Sequence, residues 1–235
     1  MADFLLIHGS CHGAWCWRDV IPALQAQGHT ARAIDLPGHG GDMTPIPEIT
    51  LEAYAEAILD AISHPVTLVG HSMAGYPISL AAELNPAKIS RLVYLCAYVP
   101  KGDLSLADMR KEAPYQPLMP AVIRAADGRS FRIDPAQTGK VFYHDCPPGT
   151  VAYANTRLCA QAVLPQETAC PLGTRYASVP RSYIRCTDDR TIPPEYQVTM
   201  TADWPAGDVH EMPTGHSPFF ADPAGLAALL SRITG

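Results

Sequence analysis

The sequence has few charged residues, no basic excess and no long apolar run, and each absence excludes a class of protein. Charged residues make up 17% of the 235 residues, and the formal net charge is −6. Because binding to phosphates needs a cationic face, this charge argues against a nucleic-acid partner. The longest apolar run, Leu92 to Val99, is far shorter than the roughly 18 residues that span a bilayer. We therefore predict a globular protein with neither a nucleic-acid nor a membrane partner.

Targeting and disulfide signals are also lacking. Residues 1–3 carry no basic region, and the apolar stretch Phe4 to Ile7 ends at once in His8-Gly9, so no secretory signal is visible. The seven cysteines are an odd number without the spacing of a metal site or a disulfide framework. We expect them to be reduced and mostly buried. These observations predict a cytoplasmic protein.

What is present is an alternation of short apolar runs with helical patterns, which predicts an α/β fold with a mostly parallel sheet between helices. The predicted strands are 4–7, 30–35, 66–69, 89–97, 181–186 and 207–210. The predicted helices include 17–27, 51–62 and a last helix from Pro223, for which Asp222 is the N-cap. From residue 101 to 179 prolines are frequent and no strand-like alternation persists. We therefore predict a core of residues 1–100 and 180–235, with an inserted helical cap at 101–179 that is not independent.

The segment from Val66 to Gly75 is the most informative of the chain. An apolar strand runs directly into Gly70-His71-Ser72, and a helical pattern follows. This order is typical of a nucleophile elbow, a strained turn that exposes a serine hydroxyl. The pattern usually has glycine two positions after the serine, where this chain has Ala74, and we expect the turn to tolerate the methyl group. An ordinary glycine-containing turn is the alternative to Ser72 as nucleophile.

A serine nucleophile needs a base and an acid, which in elbow enzymes follow it in the order acid, then histidine. His216 lies between the last strand and the last helix, in a loop at the carboxyl edge of the sheet, and can accept the serine proton. A solvated loop histidine is the alternative. Asp188 and Asp189 both follow strand 181–186, and we favour Asp189 because its distance from Pro193 resembles the acid loop of such hydrolases. Its carboxylate would orient the imidazole.

Two backbone N–H groups are candidates for the oxyanion hole of such an enzyme. One belongs to Met73, directly after the nucleophile, and the other to Ser10, in the loop after the first strand. His8 and His12 in the same loop could instead bind a metal. Because no third ligand stands at suitable spacing, we predict no metal site and favour buried histidines that support the active site.

Four segments resemble α/β-hydrolases, specifically the group of plant methylesterases, the salicylate-binding esterase and the α-hydroxynitrile lyases. They are His8 to Trp17, Asp35 to Gly40, Gly70 to Gly75 and Tyr183 to Asp189, and Phe142 to Cys146 in the cap is similar too. The resemblance covers the core from end to end and is thinner over residues 101–140. It implies an α/β-hydrolase fold with a small apolar pocket under the cap, no cofactor, and a homodimer.

The resemblance also implies the roles of single residues. Ser72, Asp189 and His216 match the triad, and Ser10 and Met73 match the oxyanion donors. We therefore predict a serine carboxylesterase that hydrolyses small esters through an acyl-enzyme. The lyases carry a lysine directly after the catalytic histidine, where this chain has Ser217. A lyase and a non-catalytic small-molecule receptor are the alternatives; Ser217 argues against the first and the complete triad against the second.

Overall fold

The computed structural model describes residues 1–235, and its nine strands form two sheets. The strands are β1 Asp3–Ile7, β2 Thr30–Ile34, β3 Val66–His71, β4 Ile89–Leu95, β5 Val122–Arg124, β6 Ser130–Ile133, β7 Gln161–Ala162, β8 Arg181–Cys186 and β9 Val209–Met212. The central sheet has the order β2-β1-β3-β4-β8-β9, and all of its strand pairs are parallel. The predicted parallel sheet is confirmed.

Helices cover both faces of the central sheet. They are α1 Val20–Ala26, α2 Leu51–Asp60, α3 Gly75–Leu84, α4 Leu106–Glu112, α5 Thr138–Val141, α6 Thr150–Asn155, α7 Leu164–Glu167, α8 Thr174–Ala177, α9 Pro194–Met200, α10 Pro218–Ala221 and α11 Pro223–Thr234. Successive side chains of β1 enter different hydrophobic clusters, Leu5 one and Leu6 the other. Alternation along a strand buried on both faces therefore builds one core on each side of the sheet. No helix combines the length and the apolar character needed to cross a membrane.

The chain order of the central strands determines where the loops converge. From β1 the chain passes to β2 on one side, and it returns to β3 on the other side of β1. The loops after β1 and β3 therefore separate at the carboxyl edge of the sheet and leave a crevice, where ligands bind in open α/β folds. The loops after β8 and β9 end at the same edge.

Residues 101–179, here called the cap segment, lie between β4 and β8 in the chain. Beside the helices α4 to α8, this segment contains the small antiparallel sheet β5-β6-β7. The sequence pattern predicts only helices in this segment. Strands of three, four and two residues are too short for their side-chain alternation to be recognised.

Most predicted elements differ from the structure by one or two residues at an end, and two of them begin two or more residues later than predicted. The predicted helix 17–27 is shorter, because Ala14–Trp17 form a 3₁₀ turn and α1 begins only at Val20. The predicted strand 207–210 lies instead at 209–212, after a 3₁₀ turn at Ala206–Asp208. The last helix begins at Pro223 as predicted, and the Asp222 side chain accepts a hydrogen bond from the N–H of Gly225.

Candidate active site

The turn between β3 and α3 holds Ser72 in a left-handed backbone conformation, with φ of 57°. Such a conformation is strained for a side-chain-bearing residue and typical of a nucleophile elbow. A Cβ on Gly70 would lie 3.0 Å from the carbonyl oxygen of Ala74, and one on Gly75 would overlap the carbonyl oxygen of Tyr98. Ala74 itself has a helical φ of −63°, so its methyl group is accommodated. The turn therefore needs glycine at positions 70 and 75 and not at 74.

Three side chains from different loops meet at this turn. The Nε2 atom of His216 lies 3.0 Å from Ser72 Oγ, and its Nδ1 atom lies 2.8 Å from Asp189 Oδ2. All three residues are buried, with exposed fractions of 7% for Ser72, 1% for His216 and 4% for Asp189. Because a carboxylate can only accept, Nδ1 carries the proton and Nε2 turns its lone pair to the serine hydroxyl. This is the tautomer that a general base requires.

The carboxylate of Asp189 is held by further donors. Its Oδ1 atom accepts hydrogen bonds from the N–H groups of Thr191 (2.7 Å) and Ile192 (3.0 Å), and Oδ2 accepts one from Gln197 Nε2 (3.0 Å). These three donors hold the carboxylate in place beside the imidazole. Asp188 is exposed and makes no bond to His216. The structure thus brings Asp189, and not its neighbour, against the imidazole.

The loop after β1 lies beside Ser72. A Cβ on Gly9 would come within 2.9 Å of Ser72 Cβ, so only glycine permits this approach. The N–H of Ser10 makes no hydrogen bond within the chain, and that of Met73, the second residue of a 3₁₀ turn, has no partner inside the turn. Both residues line the same cavity as Ser72. Their N–H groups are free to bind an oxyanion.

The two histidines of this loop are hydrogen-bonded through both ring nitrogens. In each ring Nδ1 contacts a carbonyl of the loop at 2.8 to 2.9 Å. The Nε2 atom of His8 accepts a hydrogen bond from the N–H of Leu36, and the Nε2 atom of His12 accepts one from the hydroxyl of Tyr143. Burial lowers the pKa of His12 to about 4 and that of His8 well below its usual value. Neither ring has a nitrogen left for a metal ion.

His71 also contacts the catalytic candidates, a role that the sequence analysis does not predict. Its Nε2 atom donates to the backbone carbonyl of His216 (2.8 Å), and the two rings lie 4.6 Å apart. Burial lowers the pKa of His71 well below its usual value, which keeps the ring neutral. Together with Cys96 Sγ, ligand atoms of these two histidines lie within 4.8 Å of one another. Both ring nitrogens of His216 are already bonded, so this cluster does not fit a metal ion.

A narrow cavity of about 20 Å³ opens above Ser72, which is space for about one water molecule. No acidic residue lines it. The cap segment supplies part of its wall through Leu106, Arg110, Leu118, Phe131, Phe142 and Gln166. Neither Arg110 nor Gln166 is predicted at the site from the sequence, because no local pattern indicates that the cap segment packs over the elbow.

Comparisons with known proteins agree with this geometry. Residues 4–229 match a family described as the alpha/beta hydrolase family. Methylesterase 7 of Arabidopsis thaliana is 34% identical, over 98% of this chain and 95% of its own length. Esterase PIR7B of Oryza sativa subsp. japonica is 30% identical, over 98% and 94%. A solved pyrethroid hydrolase from Sphingobium faniae JZ-2 superposes with a TM-score of 0.88 at 27% identity, over 98% and 96% of the two chains. The resemblance to plant methylesterases is confirmed.

Proposed function

The chain belongs to the alpha/beta hydrolase family, and on this premise we propose that Ser72, His216 and Asp189 form the catalytic triad of a serine carboxylesterase. That the protein is an ester hydrolase follows from its similarity to methylesterases and esterases over nearly its whole length. One observation carries the assignment of residues. It is the continuous line of contacts from the Ser72 hydroxyl through His216 to Asp189 at the wall of a cavity.

The acylation step uses each of these groups. His216 Nε2 takes the hydroxyl proton while Ser72 Oγ attacks the ester carbonyl carbon. The developing oxyanion accepts hydrogen bonds from the N–H groups of Ser10 and Met73, each worth about 3 kcal/mol in the transition state. Asp189 stabilises the imidazolium. When the tetrahedral intermediate collapses, His216 gives the proton to the leaving alkoxide, and the alcohol departs from the acyl-enzyme.

Deacylation repeats the sequence with water as the nucleophile. His216 removes a proton from water, the hydroxide oxygen attacks the acyl carbon, and the same N–H groups bind the oxyanion. Collapse breaks the bond to Ser72 Oγ, which recovers its proton from His216. The products are a carboxylic acid and the free enzyme. The mechanism requires no cofactor.

The substrate in this proposal is a small ester, with methyl esters first because relatives carry the name methylesterase. The core of residues 1–100 and 180–235 supplies the reacting groups, and the cap segment covers the cavity. All seven cysteines are free, which supports a reducing compartment, and we assign the protein to the cytoplasm. The resemblance to the esterase group supports a homodimer, which light scattering coupled to size-exclusion chromatography would test.

Labelling with a fluorophosphonate, followed by peptide mapping, tests the nucleophile. We expect a single modified serine, Ser72. Turnover of p-nitrophenyl acetate should fall by about 10⁴-fold in Ser72→Ala. Exposed Ser63 offers a matched control, and Ser63→Ala should be labelled and should turn over ester like the unmodified chain. Labelling at another serine, or activity that survives in Ser72→Ala, would exclude the proposed nucleophile.

The lyase alternative makes a separate prediction. Ser217 is fully buried, its hydroxyl has no hydrogen-bond partner, and it does not line the cavity. The position that holds a lysine in the lyases therefore provides no charge for a leaving cyanide. We expect no cyanide release from mandelonitrile under conditions that give ester turnover. Cyanide release lost in Ser72→Ala would establish the lyase reaction instead.

A further inference from the structure

Arg110 lies on α4 and contributes to two neighbouring cavities. It lines the cavity above Ser72 and also a second one, likewise of about 20 Å³. Phe131 and Gln166 line both cavities as well, so the two spaces adjoin at these three residues. Arg110 therefore stands where a substrate bound at Ser72 would extend beneath the small sheet of the cap segment.

The guanidinium group of Arg110 has no partner within the protein. No hydrogen bond or salt bridge joins it to another residue, and its Nε atom is buried without an acceptor. Arg110 as a whole is half-buried, but its enclosed Nε atom is an exception to the rule that buried polar groups are hydrogen-bonded. At the wall of the cavity above Ser72, Arg110 therefore has N–H donors that no acceptor within the protein satisfies.

Acidic groups near Arg110 are engaged elsewhere. On the same helix, Asp108 bonds to Lys111 at 2.8 Å, and Glu112 lies 3.5 Å from Lys101. Glu167, the only acidic residue that lines either cavity, lies 4.0 Å from Arg124. The two cavities together therefore carry the unbalanced positive charge of Arg110, although the chain as a whole is acidic.

We propose that Arg110 binds a carboxylate of the substrate, and that the preferred substrates are esters with a second, ionised acid group, such as monoesters of dicarboxylic acids. This inference rests on the proposed function of Ser72. A guanidinium offers parallel N–H donors that match the two oxygens of a carboxylate. The ester carbonyl lies at Ser72 and the carboxylate at Arg110, and Leu106 and Leu118 contact the apolar chain between them. Arg110 thus determines specificity and takes no part in bond breaking.

The test compares two esters of the same acid. Monomethyl and dimethyl esters of straight-chain diacids, from succinic to suberic acid, differ only in whether the second carboxyl group is free. At neutral pH we expect the intact protein to favour one or more monoesters in kcat/KM. In Arg110→Gln the ratio of monoester to diester kcat/KM should fall by about 10- to 100-fold, the usual effect of losing a charged hydrogen bond. Arg110→Lys should retain part of the preference.

Lys111 provides a matched control, because Lys111→Gln removes the same charge from the next position of α4, where the side chain is exposed. This variant should keep the monoester preference, which separates direct contact from a general charge effect. Thermal melting verifies that Arg110→Gln is folded; if it is not, the comparison rests on Arg110→Lys, which keeps the charge and should keep the preference in part.

Binding without turnover separates the two proposals. In Ser72→Ala, calorimetry should detect the monoester, and the added Arg110→Gln change should weaken its affinity by about 10-fold or more. Turnover that depends on Ser72 with an unchanged monoester-to-diester ratio in Arg110→Gln would overturn the role of Arg110 and leave the esterase proposal intact. Monoester binding that requires Arg110, without Ser72-dependent turnover of any ester, would support the carboxylate site and overturn the proposed nucleophile.

Discussion

At the scale of single residues, the turn at Ser72 depends on two small neighbours in different surroundings. Gly75 packs directly against the carbonyl of Tyr98, whereas Ala74 occupies an ordinary helical conformation. Only at Gly75 would a side chain require the backbone to move. The glycine usual two positions after the nucleophile is thus dispensable here, and the next one is not.

These surroundings predict opposite outcomes for two substitutions that each change one methyl group. Gly75→Ala should lower the free energy of unfolding by about 1 to 3 kcal/mol through overpacking, and reduce esterase turnover by about 10-fold or more as the nucleophile shifts. Ala74→Gly should cost at most about 1 kcal/mol and retain turnover. Urea unfolding and p-nitrophenyl acetate hydrolysis measure both quantities. Equal behaviour of the two variants would contradict this account of the turn.

Sequence patterns identify the candidate site residues that belong to local motifs. Ser72 and His216 follow from their positions between strand and helix, and Asp189 from its spacing to Pro193. The contacts of His71 and Arg110 could not be predicted in this way. His71 bonds to a carbonyl 145 positions away in the chain, and Arg110 reaches the site only because the cap segment packs over the elbow.

At the scale of elements, β7 connects the cap segment to the core through the buried side chain of Gln161. Gln161 Oε1 contacts the N–H of Cys11 at 3.3 Å and His39 Nε2 at 3.1 Å, and its amide nitrogen donates to the hydroxyl of Tyr54. Cys11 belongs to the loop that carries the oxyanion candidate. The position of that loop therefore depends in part on an element of only two residues, which sequence periodicity cannot reveal.

Removing this connection should be costly. Gln161→Leu leaves three polar groups of the core without their partner, so we expect the free energy of unfolding to fall by about 2 to 4 kcal/mol. Exposed Gln116 in the same segment is the control, and Gln116→Leu should change stability by less than about 0.5 kcal/mol. Urea unfolding of both variants decides the matter. A loss in Gln161→Leu no larger than in the control would show that the bridge is unimportant.

At the scale of the whole molecule, four buried histidines link stability to pH. Burial lowers the pKa of His8, His12, His39 and His71 from the usual 6.5. Below that value the unfolded chain takes up protons that the folded chain does not, so the free energy of unfolding falls as the pH falls. For His12 the loss extends down to its folded pKa of about 4. The carboxyl pKa values of Asp3 and Asp42 are also lowered in the folded chain. These two groups reduce the free energy of unfolding only when the pH falls to about their usual pKa of 3.8 and below.

We therefore expect the protein to lose stability between about pH 6.5 and pH 5, by up to about 1.6 kcal/mol for each of the four histidines. Urea unfolding at both pH values measures the loss. On acidification the free energy of unfolding of His12→Gln should fall less than that of the unmodified chain, and the difference should equal the contribution of one histidine. His64→Gln changes an exposed position, and its free energy of unfolding should fall as much as that of the unmodified chain. A free energy of unfolding that is the same at both pH values would mean that these rings are not neutral and buried.

The pairing of β4 with β8 has a consequence for how such proteins diversify. The cap segment is an enlarged crossover between neighbouring parallel strands, so its length and sequence can change while the strand order stays the same. The proposed nucleophile, base and acid all reside outside it, whereas Arg110 and Gln166 reside within it. Under the proposed function, reaction chemistry and substrate choice are encoded in separable stretches of the gene, and grafting caps between related cores offers a route to new ester preferences with an unaltered triad.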